Sequence, residues 1–200
     1  MTPTNEYSKI AFFDFDGTIT TRDTFLHFIF FVKGKLFSFL GFVILSPILF
    51  IYLIKLISNE KAKELVFSYF FKDTKESYLK EKGIEFASLI DKMLCVDAII
   101  KINWHKSQNH KIVVVTASSN LWVEAWCIQN KLELISTSYE TLNGILTGKI
   151  SGKNCHGIEK VNRIKEIYDL SDYEDIYAYG DTKGDLPMLQ IANYSYYCKF

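Results

Sequence analysis

The hydrophobic pattern changes its period twice along this chain. Ile10-Ala11-Phe12-Phe13 is a short apolar run closed by Asp14, with Gly17 close behind, which predicts a buried strand over Ile10–Asp14. Helical spacing follows. Thr20–Lys33 is expected to be a helix with Phe25, Phe28, Ile29 and Val32 on one face, Thr21 or Asp23 as its cap and Gly34 as its stop. Leu36–Ile57 is almost continuously apolar, at about 22 residues long enough to cross a bilayer as a helix. Pro47 inside it would kink or split that helix. Asn59–Phe71 reads as an amphipathic helix, Asp73–Met93 as a helical region interrupted at Gly83, and Val96–Asn109 as a further helix.

Strand signals then return. Lys111–Val115 is apolar after its lysine and ends in Thr116-Ala117-Ser118. Ser119 or Asn120 caps the helix after it, and Ser118 reads as another capping residue. Leu132–Ser138 is a third strand. Asn143-Gly144 between Ser138–Leu142 and Ile145–Ser151 is a hairpin signal. Gly157–Tyr168 is a helix, Asp175–Tyr179 a strand, Leu186–Ile191 a short helix and Tyr194–Cys198 a last strand. Strands alternating with helices imply an α/β fold with a parallel sheet covered on both faces. Residues 23–94 carry no strand signal and form a helical insertion between the first two strands.

Composition narrows the partners. The 200 residues are 48% hydrophobic with a formal net charge of +0 and no basic run, which argues against nucleic acid. Cys95, Cys127, Cys155 and Cys198 are scattered without metal spacing, so four reduced thiols are expected. The Met1–Lys9 segment is polar and has no apolar leader core, which places the catalytic part in the cytoplasm. His27, His105, His110 and His156 show no partner spacing and are expected to be structural or exposed.

The chemistry gathers at strand ends. A buried strand ending in Asp14-x-Asp16 loses hydration for two charges unless a cation sits there. Ligands of open α/β sheets bind at those same ends. Thr116 ends the second strand, and Gly180-Asp181 with Asp185 follow a late one. Lys160 lies at the start of the helix before it, with Lys153 as a nearby rival.

Asp14-Phe15-Asp16-Gly17-Thr18, then Thr116, then Lys160, then Gly180-Asp181-Thr182-Lys183-Gly184-Asp185 resemble, in order, the four motifs of the haloacid dehalogenase-like (HAD) hydrolases. The resemblance covers about residues 8–22 and 95–198. It implies a Rossmann-like core (1–22 and 95–200) and an α-helical cap (23–94) of the kind seen in phosphoserine phosphatase. It further implies a Mg²⁺-dependent phosphomonoester hydrolase working through an aspartyl-phosphate. Asp14 would be the nucleophile and Asp16 the general acid and base. Lys160 would neutralise charge on Asp14 and phosphate. Thr116, with the backbone at Ala117 and Gly17, would bind the phosphoryl oxygens. Asp14, Asp181 and the Asp16 carbonyl would hold the metal, with Asp185 orienting its water. Asp23 is a candidate substrate contact. Cys155 beside His156 is left without a catalytic task.

The insertion bears on substrate. Phosphoserine phosphatase holds its amino acid with an acidic residue after the first motif and a cap arginine. Asp23 could serve as the first, but no arginine lies between residues 23 and 162. A lysine lacks the planar fork that grips a carboxylate. The Leu36–Ile57 run with its flanking lysines looks like that of the bacterial HAD-type phosphatidylglycerophosphate phosphatase. A lipid phosphate at the cytoplasmic face of the inner membrane is the first reading. A small soluble phosphomonoester is the second, and a non-catalytic membrane-associated protein the third. Membrane contact, burial in the cap and an oligomer interface remain open for residues 36–57.

Overall fold

The computed structural model describes residues 7–200, so residues 1–6 of the polar Met1–Lys9 segment lie outside the described residues. Five strands form one parallel sheet, ordered β3-β2-β1-β6-β7, made by β1 (Lys9–Phe13), β2 (Lys111–Ser119), β3 (Glu133–Thr137), β6 (Asp175–Gly180) and β7 (Tyr194–Tyr197). β1 is central because both its faces are apolar: Ile10, Ala11, Phe12 and Phe13 are all fully buried. The chain leaves β1 towards β2 on one side and meets β6 on the other, so the crevice at the ends of these three strands is a topological switch point.

The helices come where the period predicts them, with instructive differences. α1 (Thr24–Lys33) starts four residues later than expected, because Gly17–Thr20 is a tight turn closed by Gly17 N–H donating to the Thr20 carbonyl. Asp23 caps it, accepting from Leu26 N–H at 2.9 Å. α2 (Lys35–Leu53) runs unbroken through Pro47. The proline deprives the Val43 carbonyl of its helical donor, and the Ser46 hydroxyl takes that place at 2.7 Å. α3 (Asn59–Phe71) is capped by Ser58, α4 (Glu76–Ile90) runs through Gly83, and α5 (Val96–Ser107) leads back to the sheet.

Gly83 is a packing residue rather than an interruption. A Cβ there would lie 2.1 Å from the Leu121 carbonyl of α6 (Asn120–Gln129), so its absence lets the two helices touch. Gly83→Ala should therefore destabilise the fold by about 1–3 kcal/mol through overpacking, read as a lower thermal midpoint with the same spectrum.

The insertion shares the sheet's own core. Phe28, Phe67, Leu79, Phe86 and Ile90 belong to one buried cluster with Ala11, Phe13, Val114 and Trp122. The hairpin β4 (Tyr139–Leu142) and β5 (Ile145–Ile150) also reaches the insertion. Asp73 N–H donates to the Leu146 carbonyl and Leu146 N–H to the Thr74 carbonyl, both at 2.9 Å. α7 (Ile158–Ile167) and α8 (Leu186–Gln190) cover the opposite face, over Ile10, Phe12, Val113 and Ala178. All four cysteines are unpaired.

α2 is the exception to burial. Only Ser38, Gly41 and Leu45 are buried, so a narrow small-residue stripe seats the helix. Leu36, Phe39, Ile44, Phe50 and Leu53 are exposed, Leu36 by 75% and Leu53 by 72%. Burial inside the cap is thus not where this apolar run goes.

Candidate active site

The ends of β1, β2 and β6 bring the predicted residues together. One cavity of about 380 Å³ is lined by Asp14, Asp16, Asp23, Thr116, Ala117, Lys160 and Asp185. Asp14 follows β1 directly, and its N–H donates to the Tyr179 carbonyl of β6, which fixes the carboxylate at the crevice.

Lys160 enters from the first turn of α7 and is fully buried. Its ammonium donates to Asp14 Oδ1 at 2.5 Å, Asp185 Oδ1 at 2.6 Å and the Val115 carbonyl at 2.7 Å. An ammonium has three protons, and these three partners use them all. Burial opposes its charge, yet Asp14 and Asp185 outweigh that and hold its pKa above the ordinary lysine value. Lys153, the rival, lines a different cavity beside Arg163. Burial pushes Asp14 up to about 7, opposed by Lys160 and reinforced by Asp185. The same lysine holds Asp185 below its usual value despite burial.

Asp185 does not cap α8 with its side chain. Its Oδ2 accepts from Thr182 N–H at 2.9 Å and Thr182 Oγ1 at 2.7 Å. Gly17 and Asp181 are not part of the cavity wall. They touch each other: at φ 88° Gly17 occupies left-handed backbone, and a Cβ there would lie 2.3 Å from Asp181 Oδ2. Thr18 Oγ1 donates to Asp181 Oδ1 at 3.1 Å.

Asp14, Asp181 and Asp185 each place a carboxylate oxygen within 4.8 Å of the others. Hard oxygens so spaced suit Mg²⁺, whose ligands at about 2.1 Å sit about 3–4 Å apart, after a small closing of the cluster. The Asp16 carboxylate faces elsewhere. Oδ1 accepts from Thr24 N–H at 2.7 Å and Thr24 Oγ1 at 2.6 Å, and Oδ2 from Ser118 Oγ at 2.5 Å. Asp16 thus lies outside the acidic cluster, its carboxylate held by Thr24 and Ser118. Burial raises its pKa, with Asp23 adding to the effect.

Several residues at the site escaped the sequence reading. Ser118 is not a helix cap; Ser119 caps α6, because β2 extends to Ser119 and turns Ser118 towards Asp16. Lys63, on α3, reaches the cavity and donates to the Ala117 carbonyl at 2.9 Å, its pKa lowered by burial. Tyr52, Asn59 and His156 also line it. No local motif marks them, since insertion and core meet only in three dimensions. His105 and His110 do have partners: their Nδ1 atoms lie 2.8 Å apart, and His105 Nε2 lies 3.0 Å from the Tyr179 hydroxyl. Cys155 is buried and its thiol pushed up to about 11, so it is no thiolate at neutral pH.

The family model of haloacid dehalogenase-like hydrolases matches residues 11–190, a span that contains every residue of this cluster. The chain is a HAD hydrolase. This HAD hydrolase is 33% identical over 184 residues to protein CicA of Caulobacter vibrioides, covering 90% of the chain and 82% of CicA. Its fold is similar to that of a protein of unknown function from Bordetella pertussis Tohama I, with TM-score 0.82 and 21% identity over 93% of this chain and 87% of that one. It is also similar to a phosphoserine phosphatase captured as a phospho-aspartyl intermediate analogue, with TM-score 0.66 and 18% identity over 93% and 84% of the two chains. These two likenesses speak for the fold alone.

Proposed function

We propose that this HAD hydrolase cleaves a phosphomonoester with Mg²⁺ through an aspartyl-phosphate on Asp14. The observation that carries this is the buried Asp14 carboxylate held by Lys160 at the end of β1, in one cavity with Asp16 and Thr116. Asp14 attacks phosphorus while Asp16 gives its proton to the leaving oxygen; Asp16 then takes a proton from the water that attacks the aspartyl-phosphate, releasing phosphate. Thr116 and the backbone N–H of Ala117 receive the phosphoryl oxygens; Gly17, expected to join them, lies outside the cavity wall and gives its N–H to the Thr20 carbonyl. Lys160, its protons already shared among Asp14, Asp185 and Val115, acts on the phosphoryl group by its field. Asp14, Asp181 and the Asp16 carbonyl would hold Mg²⁺, with Asp185 behind, and the ion would supply charge neutralisation at the phosphoryl group. Residues 23–94 act as the cap over a core of residues 1–22 and 95–200.

The preferred substrate is a membrane lipid phosphate such as phosphatidylglycerophosphate. α2 presents an exposed apolar face and carries in its last turn Tyr52, which lines the site. No acidic residue occurs from 24 to 59, while Lys33, Lys35 and Lys55 flank the helix. An apolar groove of about 840 Å³ between α1, α2 and α4 carries Arg22, Lys35 and Lys92 on its wall. That combination suits an anionic cytoplasmic leaflet, with α2 lying in the interface. The same face could instead join two copies. Lys63 favours a second reading, a small phosphomonoester with an anionic group, because it brings a cap cation to the cavity.

Phosphate release should require Mg²⁺ and stop with chelator. The lipid phosphate in anionic vesicles should be a better substrate than phosphoserine. Replacing Leu36, Phe39, Ile44 and Phe50 by serine should abolish vesicle co-sedimentation while leaving hydrolysis of p-nitrophenyl phosphate unchanged. Equal turnover of both substrates without vesicle binding would reject the lipid assignment.

A further inference from the structure

The Asp16 carboxylate has three donors, and none of them belongs to the sequence motif that carries Asp16. Two come from Thr24, the first residue of α1, and one from Ser118 at the end of β2. Thr24 and Ser118 are buried. The Thr24 hydroxyl accepts in turn from Trp122 Nε1 of α6 at 3.2 Å. That acceptance turns the hydroxyl proton of Thr24 towards Asp16. Trp122 is itself fixed by stacking on Phe25 at 5.4 Å and Phe28 at 5.3 Å, both on α1. A chain of contacts therefore runs from Asp16 to Thr24, to Trp122, and back to the helix that carries Thr24.

We propose that Ser118 and Thr24, with Trp122 behind Thr24, are positioning residues that hold Asp16 for proton transfer to the leaving group. Oδ1 is saturated by the two Thr24 donors, so the proton that Asp16 transfers resides on Oδ2. Ser118 is the only side chain among the described residues that bonds Oδ2. A hydroxyl donates to the ionised carboxylate and rotates to accept, or to release, when Oδ2 carries a proton. Ser118 thus accommodates both forms of Asp16 without backbone movement. Thr24 supplies the fixed half of the clamp. Because Thr24 opens α1, the acid is in position only when the insertion's first helix is seated on α6.

The step this serves is balanced. The Asp14 carboxylate forms a bond to phosphorus, the bond from phosphorus to the leaving oxygen breaks, and that oxygen takes the Asp16 proton. Asp16 is left as the carboxylate that later receives a proton from water. The inference rests on the phosphatase reading above, but it predicts something that reading alone does not. Losing the clamp should cost most where the leaving oxygen most needs a proton.

The test is the dependence of kcat/KM on leaving-group basicity, from p-nitrophenyl phosphate through phenyl phosphate to an alkyl phosphate. This ratio reports steps up to the first loss of alcohol, so later hydrolysis of the aspartyl-phosphate does not mask the effect. Ser118→Ala and Thr24→Val should each lose about 10²-fold on the alkyl phosphate and less than about 3-fold on p-nitrophenyl phosphate, which steepens the dependence. Ser118→Thr keeps the hydroxyl and should restore the parent slope. Parallel losses on all three substrates, at an unchanged slope, would mean that the two residues are merely structural and would overturn the proposal. So would an unchanged rate on the alkyl phosphate. A parent chain that turns over none of the substrates would instead overturn the phosphatase reading itself, and the inference with it.

Discussion

Asp14→Asn is expected to reduce turnover by about 10⁴–10⁶-fold, the scale on which removing a covalent nucleophile acts. The amide nearly matches the carboxylate in shape, and Lys160 keeps Asp185 as an ion-pair partner at 2.6 Å, so the fold should survive. The substitution also removes a buried charge whose ionisation the fold opposes, since burial holds Asp14 at about 7. The variant should therefore melt no lower than the parent, and the loss is then chemical. Phosphate release and a thermal midpoint measured on the same preparation check both halves. Retained turnover would remove Asp14 from the role of nucleophile.

Lys160→Met is expected to act oppositely on stability. It deletes the partner shared by two buried carboxylates and orphans the Val115 carbonyl. Breaking a buried pair by removing one member costs about 3–5 kcal/mol, and here two acids are left facing each other. Asp14 should then hold its proton at neutral pH, because its largest opposing influence is gone. Turnover should fall by about 10³-fold or more. Lys160→Arg keeps the charge but not the compact three-proton geometry, so it should recover more stability than activity. Denaturant unfolding of the two variants beside the parent separates these effects. A Lys160→Met chain as stable as the parent would contradict the ion-pair account.

The sequence made the strand framework readable because its strands are buried on both faces. Ile10–Phe13, Ile112–Val115 and Ile176–Tyr179 carry continuous apolar signal, and the polar residues that end them mark the crevice. Asp14, Asp16, Thr116 and Asp185 stand at or just past those ends and Lys160 at the start of a helix, and the fold collects all five in one cavity. Asp181, just past the last of these strands, joins Asp14 and Asp185 in the acidic cluster, while Gly17 packs against it.

What stayed hidden depended on contacts between segments far apart in the chain. Gly83 looks like a helix breaker until the Leu121 carbonyl is seen against it. Ser118 looks like a cap until β2 is found to extend beyond Thr116. Pro47 reads as a hinge because no one-dimensional pattern reveals that Ser46 satisfies the Val43 carbonyl. Lys63 sits among flanking lysines in the sequence, and only the docking of α3 on the core brings it over Ala117. The exposure of α2 was legible in part, as an apolar run too long for a small cap to bury.

The central claim is a phosphoryl group carried transiently on Asp14. A single-turnover reaction quenched in acid, digested and read by peptide mass spectrometry tests it directly. The account predicts one phosphoryl group on the peptide containing Asp14, formed and lost at rates that match turnover, and absent from Asp14→Asn. Full phosphate release with no modified peptide, or the group on any other residue, would contradict it.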